Sequence, residues 1–384
     1  MRSCTALGCF LLALWSTASA VTVNARAASA AAGGPSFDCG KADSNSARLI
    51  CEDTFLMALD LRLADAFGQR LAQESGQKRA RLIAQQRAWL NGNEIACQPP
   101  DPRNASFAKT VEPRLCLSQR YLDRMAAIGA SPVAPGETPN NIAEIHPRCV
   151  QLLGEVLADG RSRAALPLAR CNHVYRFVSI RQTDGGWLEV VGATPFVPSF
   201  RYKPVVTLSD GNEIVVADWS TNGAGYKTSG ILKLREEGTG QGRILSARVL
   251  VQGGSNCQRG ILDARSVADG TFDVVFAITP YDLVVSVSPS LRTREGLSVL
   301  TGSSGPMKDV CVGSLVERYT APYISGTIES ATLEHPTAMA GSPIDDCFVR
   351  IFSAGSSPQE TVLDSAELQA RTDAFARACL TPIR

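Results

Sequence analysis

Residues 53–71 read DTFLMALDLRLADAFGQRL, and this stretch decides the first part of the fold. Leu56, Leu59, Leu63, Phe67 and Leu71 recur at steps of three and four, which lays one apolar stripe along an amphipathic helix. Asp53 or Thr54 stands where a side-chain oxygen can accept from the first free amides, so the helix is expected to start there. Gly76 breaks the pattern. A second helix follows, with Leu82, Ile83, Gln86, Trp89, Leu90 and Asn93 at helical spacing and Cys97 near its end. Gln98 to Arg103 carries Pro99, Pro100 and Pro102 and reads as a loop. Glu112 to Ala127 is the third expected helix, its inner face made of Leu115, Cys116, Gln119, Leu122 and Met125 or Ala126.

The chain ahead of this segment indicates the compartment. Met1 to Ser3 is short and basic, Cys4 to Trp15 has no charge, and Ala18-Ser19-Ala20 is a small-residue cleavage site. Residues 1–20 are therefore read as a signal peptide and 21–35 as a disordered leader. The apolar run is shorter than the ~20 residues a spanning helix needs, and no later run is long enough, so no membrane span is expected after signal removal. Of twelve cysteines, Cys4 and Cys9 leave with the signal, and an even set remains. In an exported chain, periplasmic or secreted, that reads as disulfides. No C-x-x-C or H-E-x-x-H occurs and His146, His173 and His335 are scattered, so no metal and no cofactor is expected. Lys plus Arg number 38 against 37 Asp plus Glu, a balance with no basic stripe for nucleic acid.

Residues 129–147, with four prolines and two glycines, read as a linker, and from 148 to 384 the pattern changes. Short runs rich in Val, Ile, Phe and Thr recur between Gly, Ser, Pro and Asn clusters: His173–Ile180, Trp187–Thr194, Glu213–Trp219, Arg243–Val251, Thr271–Ile278, Leu283–Val287 and Phe348–Ser353. Asp364 to Leu380 closes the chain as a helix, with Asp364 or Ser365 as its cap and Pro382 just beyond. The expected class is α+β in two domains: a small disulfide-stapled helical domain over 36–128, then a mainly antiparallel β domain, sandwich or barrel, with a C-terminal helix.

In the helical segment, Phe37-Asp38-Cys39, Leu49-Ile50-Cys51, Leu56-x-x-Leu59-Asp60-x-x-Leu63, Gln85-Gln86-Arg87-Ala88-Trp89-Leu90, Cys97 and Cys116-Leu117 with Tyr121 and Arg124 come in an order that resembles the LprI-type lysozyme inhibitor domain of bacterial exported proteins. The resemblance covers about a quarter of the chain. It departs just before the third cysteine, where Asn93 and Ile95 replace a basic and an acidic residue, and in the long proline-rich loop between Cys97 and Cys116. It implies a partner protein in the cell envelope, with a lysozyme-type muramidase as the candidate. Asp60, Gln86, Arg87 and Trp89 are the motif residues, and each is expected to be structural: Trp89 as core filler beside Leu82 and Gln86, Asp60 bonded to a helix end or to Arg87. A Cys39–Cys51 bridge would tie the N-terminal segment to the first long helix, and Cys97–Cys116 would join the second and third helices, each worth ~3 kcal/mol by loop-closure entropy. If neighbours in sequence pair, Cys149–Cys171 ties the linker to the first strand, Cys257–Cys311 closes a loop, and Cys347–Cys379 pins the last helix to the sheet.

Cationic enzymes are best held by complementary charge. From Asp38 to Arg124 the segment carries thirteen basic and eleven acidic side chains, with Asp60 and Asp65 as the candidate for a local acidic patch. A net charge of that sign supplies no long-range attraction. In the β-rich region no catalytic motif emerges. Gly302-Ser303-Ser304-Gly305 lacks the spacing of a nucleophile elbow. Asp263, Asp269, Asp273 and the Asp345-Asp346 pair form no calcium loop, and the turns at Gly253-Gly254 and Gly223-Ala224-Gly225 open no helix for phosphate. The reading is thus a non-enzymatic envelope protein that binds a partner. The alternatives are an envelope hydrolase or carbohydrate-acting enzyme, its site in the β region near Asp263, Asp273, Asp345 or His173, and a purely structural interaction module.

Overall fold

The computed structural model describes residues 34–131, 145–178, 180–190, 200–220, 227–255, 257–268, 270–294, 297, 300, 311–321, 323–334, 343–353 and 361–380. The signal peptide, most of the leader and linker, residues 191–194 of one expected strand, Gly223-Ala224-Gly225, Asp269, Gly302 to Gly305 and His335 lie outside these residues. The described chain divides into two compact units, one holding residues 34–131 with 176–178, the other holding the rest.

The first unit is helical. Asp38 accepts from the Gly40 amide and shapes a tight turn at Cys39–Lys41. Ser44 then caps α1 (Asn45–Glu52), and Asp53 caps α2 (Thr54–Ala72) through the amides of Phe55 and Leu56. Gly76, at φ +52°, opens α3 (Gly76–Cys97), and α4 spans Phe107–Ala127. This last helix starts earlier than the sequence suggests. Pro113, which looks like a residue of the first turn, lies in the helix interior. Of its expected inner face Leu115, Leu122 and Met125 are buried, and Leu117 and Tyr121 join Leu49, Leu56, Leu59 and Leu63 in the core, while Cys116 and Gln119 are only half-buried.

One buried ion pair fixes how α2 meets α4. Arg114 donates through Nη1 to Asp53 Oδ2 at 2.5 Å, with both side chains no more than 2% exposed. Asp53 Oδ1 meanwhile accepts the two cap amides at 2.9 and 3.1 Å. Arg114 Nε donates to Thr110 Oγ1, and the guanidinium lies 4.7 Å over the Phe107 ring. The charge buried by each partner is thereby matched by the other and by neutral groups, the condition under which such a pair survives burial.

The second unit contains two antiparallel sheets. The seven-stranded sheet runs β1 (Ala164–Pro167), β7 (Ile244–Ser255), β6 (Lys227–Glu237), β5 (Glu213–Ser220), β4 (Arg201–Thr207), β3 (Leu188–Val190), β2 (Ile180–Gln182). The five-stranded sheet runs β12 (Thr361–Asp364), β11 (Tyr323–Leu333), β10 (Gly313–Thr320), β9 (Thr271–Ile278), β8 (Ile261–Ala268). Ile214, Val216 and Ile231 of the first sheet share one core with Phe272, Val274, Phe276 and Ile278 of the second. In β5, Ile214 to Ala217 are all buried, so this sheet is covered on both faces. Gly254, near the end of β7, is a close approach rather than a phosphate turn: a Cβ there would fall 1.6 Å from the Gln258 carbonyl oxygen.

Three runs expected as strands are helices. Leu283–Val287 belongs to α7 (Pro280–Val287), because Thr279 and Asp282 form a capping box with Pro280 in the first turn, and that start signal outweighs the β-branched residues after it. Phe348–Ser353 lies largely in α8 (Pro343–Phe352), where Asp345 and Asp346 occupy the first turn and Cys347, Phe348 and Phe352 bury one face. His173–Ile180 overlaps α6 (Leu168–Tyr175), whose buried positions are Leu168, Cys171, Val174 and Tyr175. Ahead of it, α5 (Pro147–Ala158) is capped by His146 and lies against the seven-stranded sheet. The terminal helix α9 (Ser365–Cys379) starts from an Asp364–Glu367 capping box.

Five disulfides close the structure: Cys39–Cys51, Cys97–Cys116, Cys149–Cys171, Cys257–Cys311 and Cys347–Cys379. Their anchors correct three expectations: Cys39–Cys51 ends on the short helix α1 rather than on the first long helix. Cys149–Cys171 joins helix α5 to helix α6 rather than a linker to a strand, and Cys347–Cys379 pins α9 to α8 rather than to a sheet. Among the described residues no helix is long and apolar enough to cross a membrane.

Breaking the central ion pair from one side leaves a buried charge alone. Arg114→Met is expected to destabilise the chain by ~3–5 kcal/mol. The double variant Asp53→Ser/Arg114→Met keeps a cap acceptor, removes both charges, and is expected to recover most of that loss. Urea unfolding of the three proteins checks this; a double variant no more stable than Arg114→Met would show that the pair is not what ties α2 to α4.

Candidate functional site

A groove of about 770 Å³ opens on the helical unit. One wall is the N-terminal segment Ser36–Ala47, held by the Cys39–Cys51 bridge and by the Ser36 amide donating to Asp60 Oδ2 at 2.6 Å. The other is the last part of α3, which contributes Leu90, Asn91, Asn93 and Glu94, with Tyr121 and Asp60 also in the lining. Glu94 joins the two walls: its Oε1 accepts from the Asn45 amide at 3.2 Å and its Oε2 from the Ser46 amide at 2.9 Å. A carboxylate at a helix N-terminus is favourable, since the first amides lack intrahelical acceptors. Asn45 Nδ2 reaches the Pro99 carbonyl oxygen at 3.1 Å and ties the same corner to the chain beyond α3.

A ladder of contacts between α3 and α4 holds that wall in place. Gln86 Oε1 accepts from Arg124 Nε at 2.8 Å, Trp89 packs edge-on against Tyr121 with centroids 5.0 Å apart, and Asn93 Oδ1 accepts from Arg120 Nε at 2.7 Å. Two arginines thus each donate Nε–H to a neutral amide, while Arg124 Nη2 is buried with no hydrogen-bond partner among the described residues. Burial lowers the pKa of Arg124 from its ordinary value. At the base, the Tyr121 hydroxyl donates to Asp60 Oδ1 at 2.8 Å. Burial, and then the Asp60 charge beside it, push that hydroxyl well above the usual tyrosine range.

The motif residues divide accordingly. Trp89 and Gln86 meet α4, and Asp60 lines the groove while bonding Tyr121 and the Ser36 amide. Arg87 is exposed and takes no part in this geometry, so the expected Asp60–Arg87 pairing is replaced by the tyrosine and the N-terminal segment. Asp60 is also no partner of Asp65 in a surface patch: Asp60 is buried and Asp65 exposed. Glu94 and Ser46 are the site residues that sequence reading passed over. Nothing local to Ser46 marks it, whereas Glu94 stands directly after Asn93 on a helix already recognised.

In the β-rich unit the carboxylates considered for catalysis are engaged in ion pairs or helix starts. Asp263 takes Lys203 Nζ at 2.7 Å, and Asp273 takes Arg318 at 2.9 and 3.3 Å and Arg265 at 3.4 Å. Asp345 is buried in the first turn of α8, Asp346 beside it is exposed, and His173 lies exposed on α6. Among the described residues no group of three His, Cys, Asp or Glu side chains is placed to hold a metal ion.

Tyr121→Phe removes the donor to Asp60 and is expected to cost ~1–2 kcal/mol at neutral pH. The unfolded tyrosine ionises near its ordinary value of 10.0, whereas folded Tyr121 stays protonated, so its contribution is full below about pH 10 and declines above it. The stability gap between wild type and Tyr121→Phe should therefore narrow from pH 9 towards pH 11. Urea unfolding at these pH values reads it, and a gap that stays constant or widens would contradict this placement of the hydroxyl.

No family model matches the chain, no curated protein matches it, and no solved structure matches it.

Proposed function

We propose that the chain is an exported, non-enzymatic protein of the cell envelope, periplasmic or secreted, whose helical unit binds a protein partner in the groove between the Ser36–Ala47 segment and α3. The groove carries this reading. It is stapled by Cys39–Cys51, braced by the Glu94 and Asp60 bonds, and rimmed by Leu90, an apolar side chain 48% exposed. A concave surface fixed before binding loses little entropy when a partner docks. Five disulfides fit an oxidising compartment.

The cysteine order and the Gln86-Arg87-x-Trp89-Leu90 run resemble LprI-type inhibitors, and that resemblance supports a lysozyme-type muramidase as the partner. The β-rich unit is read as a second interaction module.

The test is lysis of a cell-wall substrate by a lysozyme in the presence of excess full chain lacking its leader. Lysis is expected to slow. Leu90→Ala, which removes the apolar side chain at the rim without adding charge, should weaken the effect by ~1–2 kcal/mol, or about tenfold in the concentration required. Equal lysis rates with and without a large excess of the chain would sink the muramidase reading.

A further inference from the structure

The groove contains more negative charge than its own cations answer. Asp60, 6% exposed, receives only the Ser36 amide and the Tyr121 hydroxyl, both neutral donors. Glu94 receives only the backbone amides of Asn45 and Ser46. Asp43 also lines the groove, and it is its backbone carbonyl, not its carboxylate, that takes Arg48. Among the described residues no Lys or Arg forms an ion pair with any of these three carboxylates. Lys41, the basic residue of the lining, lies 3.7 Å from Asp38, and both side chains are largely exposed. A carboxylate drawn out of water without a counter-charge is costly, so such a site favours a cation arriving from outside.

A second observation points to the same place. Ser46 is 6% exposed, lines the groove, and its Oγ has no hydrogen-bond partner among the described residues. A hydroxyl oxygen keeps lone pairs for an N–H donor. The apolar part of the lining, Phe37, Ala47, Ile50 and Leu90, is suited to the methylene stem of a long basic side chain, which buries its stem and delivers its head to polar groups.

We propose that the groove seats a lysine or arginine side chain presented by a partner protein, its cationic head among Asp43, Asp60, Glu94 and Ser46 and its stem along Leu90 and Phe37. This rests on the reading of the helical unit as a protein-binding module and names the chemistry that the module selects.

The experiment uses the full chain without its leader and three probes: Nα-acetyl-arginine amide, Nα-acetyl-lysine amide and the neutral isostere Nα-acetyl-citrulline amide. Saturable amide shifts in the NMR spectrum are expected at Ser36–Ala47 and Leu90–Glu94 for the two cationic probes, with citrulline at least about tenfold weaker. Asp43→Asn/Glu94→Gln should weaken the cationic probes by about tenfold; the glutamine keeps only one of the two oxygens that accept at the start of α1, so the thermal midpoint is also expected to fall. Should that double variant unfold, Asp43→Asn alone, at an exposed position, gives the same comparison. Equal binding of arginine and citrulline amides, or shifts mapping elsewhere, would overturn the proposal. So would a free polyamine such as spermidine outcompeting a basic peptide of equal charge.

The muramidase assay separates the two readings. If the chain slows lysis but acetylating the muramidase's lysines and changing Asp43 and Glu94 leave the slowing intact, the groove proposal fails while partner binding stands. If arginine amide binds the groove yet no muramidase is slowed, the groove proposal stands and the muramidase reading falls.

Discussion

Asp53 is the residue on which the helical unit turns. One carboxylate oxygen closes the start of α2 and the other holds Arg114 of α4, so a single side chain sets both where α2 begins and which face of α4 meets it. With that crossing fixed, Tyr121 lies over Asp60, Trp89 packs on Tyr121, and α3 is brought in register so that Glu94 reaches the start of α1. A unit this small buries too little apolar surface to define a unique packing by hydrophobic contact alone. Directional polar contacts and two disulfides supply the missing definition, and the groove is what their geometry leaves open.

The β-rich unit is organised on the opposite principle. Its core joins both sheets with Phe348, Phe352 and Phe375 of the flanking helices in one continuous cluster. Here apolar area is sufficient to define the packing, and charged residues enter as local ties across strands, as where Arg318 grips Asp273 on the neighbouring strand β9. The three disulfides of this unit anchor helices and a loop, with Cys149–Cys171 and Cys347–Cys379 each joining two helices. The Cys149–Cys171 bridge is itself fully buried, so in this unit too a disulfide lies within the packed interior.

What could be read from residues alone follows from this division. The α2 stripe, the Thr271–Ile278 strand and the helix starts at Asp53 and Asp364, each one of two cap candidates, are all set by neighbours in sequence and legible there. The segments taken for strands were not, because Val284, Val285, Phe348 and Phe352 have high strand propensity, and their helical state depends on caps and on burial against distant elements. Thr279-Pro280-x-Asp282 is nevertheless a local start signal for α7, and Pro147 after His146 marks the first turn of α5. Of the site, Asp60 and Trp89 carried a signal. Ser46 acquires its place only when Glu94, distant in sequence, folds back onto α1.

Net charge is a weak guide to such a site, and the groove shows why. A segment with thirteen basic and eleven acidic side chains looks indifferent to a cationic partner. Its charges are not distributed evenly, however. Arg114 is consumed inside the unit by Asp53, while Arg120 and Arg124 donate to Asn93 and Gln86 rather than to carboxylates. Arg120 and Arg124 therefore pair with no carboxylate among the described residues, and Asp60 and Glu94, whose partners are all neutral, line one groove with no cation paired to them. Exposed charges more than about 10 Å away are screened at physiological salt, so a bound side chain responds chiefly to the lining and not to the domain's sum. Asn93 holds Arg120 through its side-chain oxygen, so Glu94 beside it accepts only the Asn45 and Ser46 amides and faces the groove with no cation of its own.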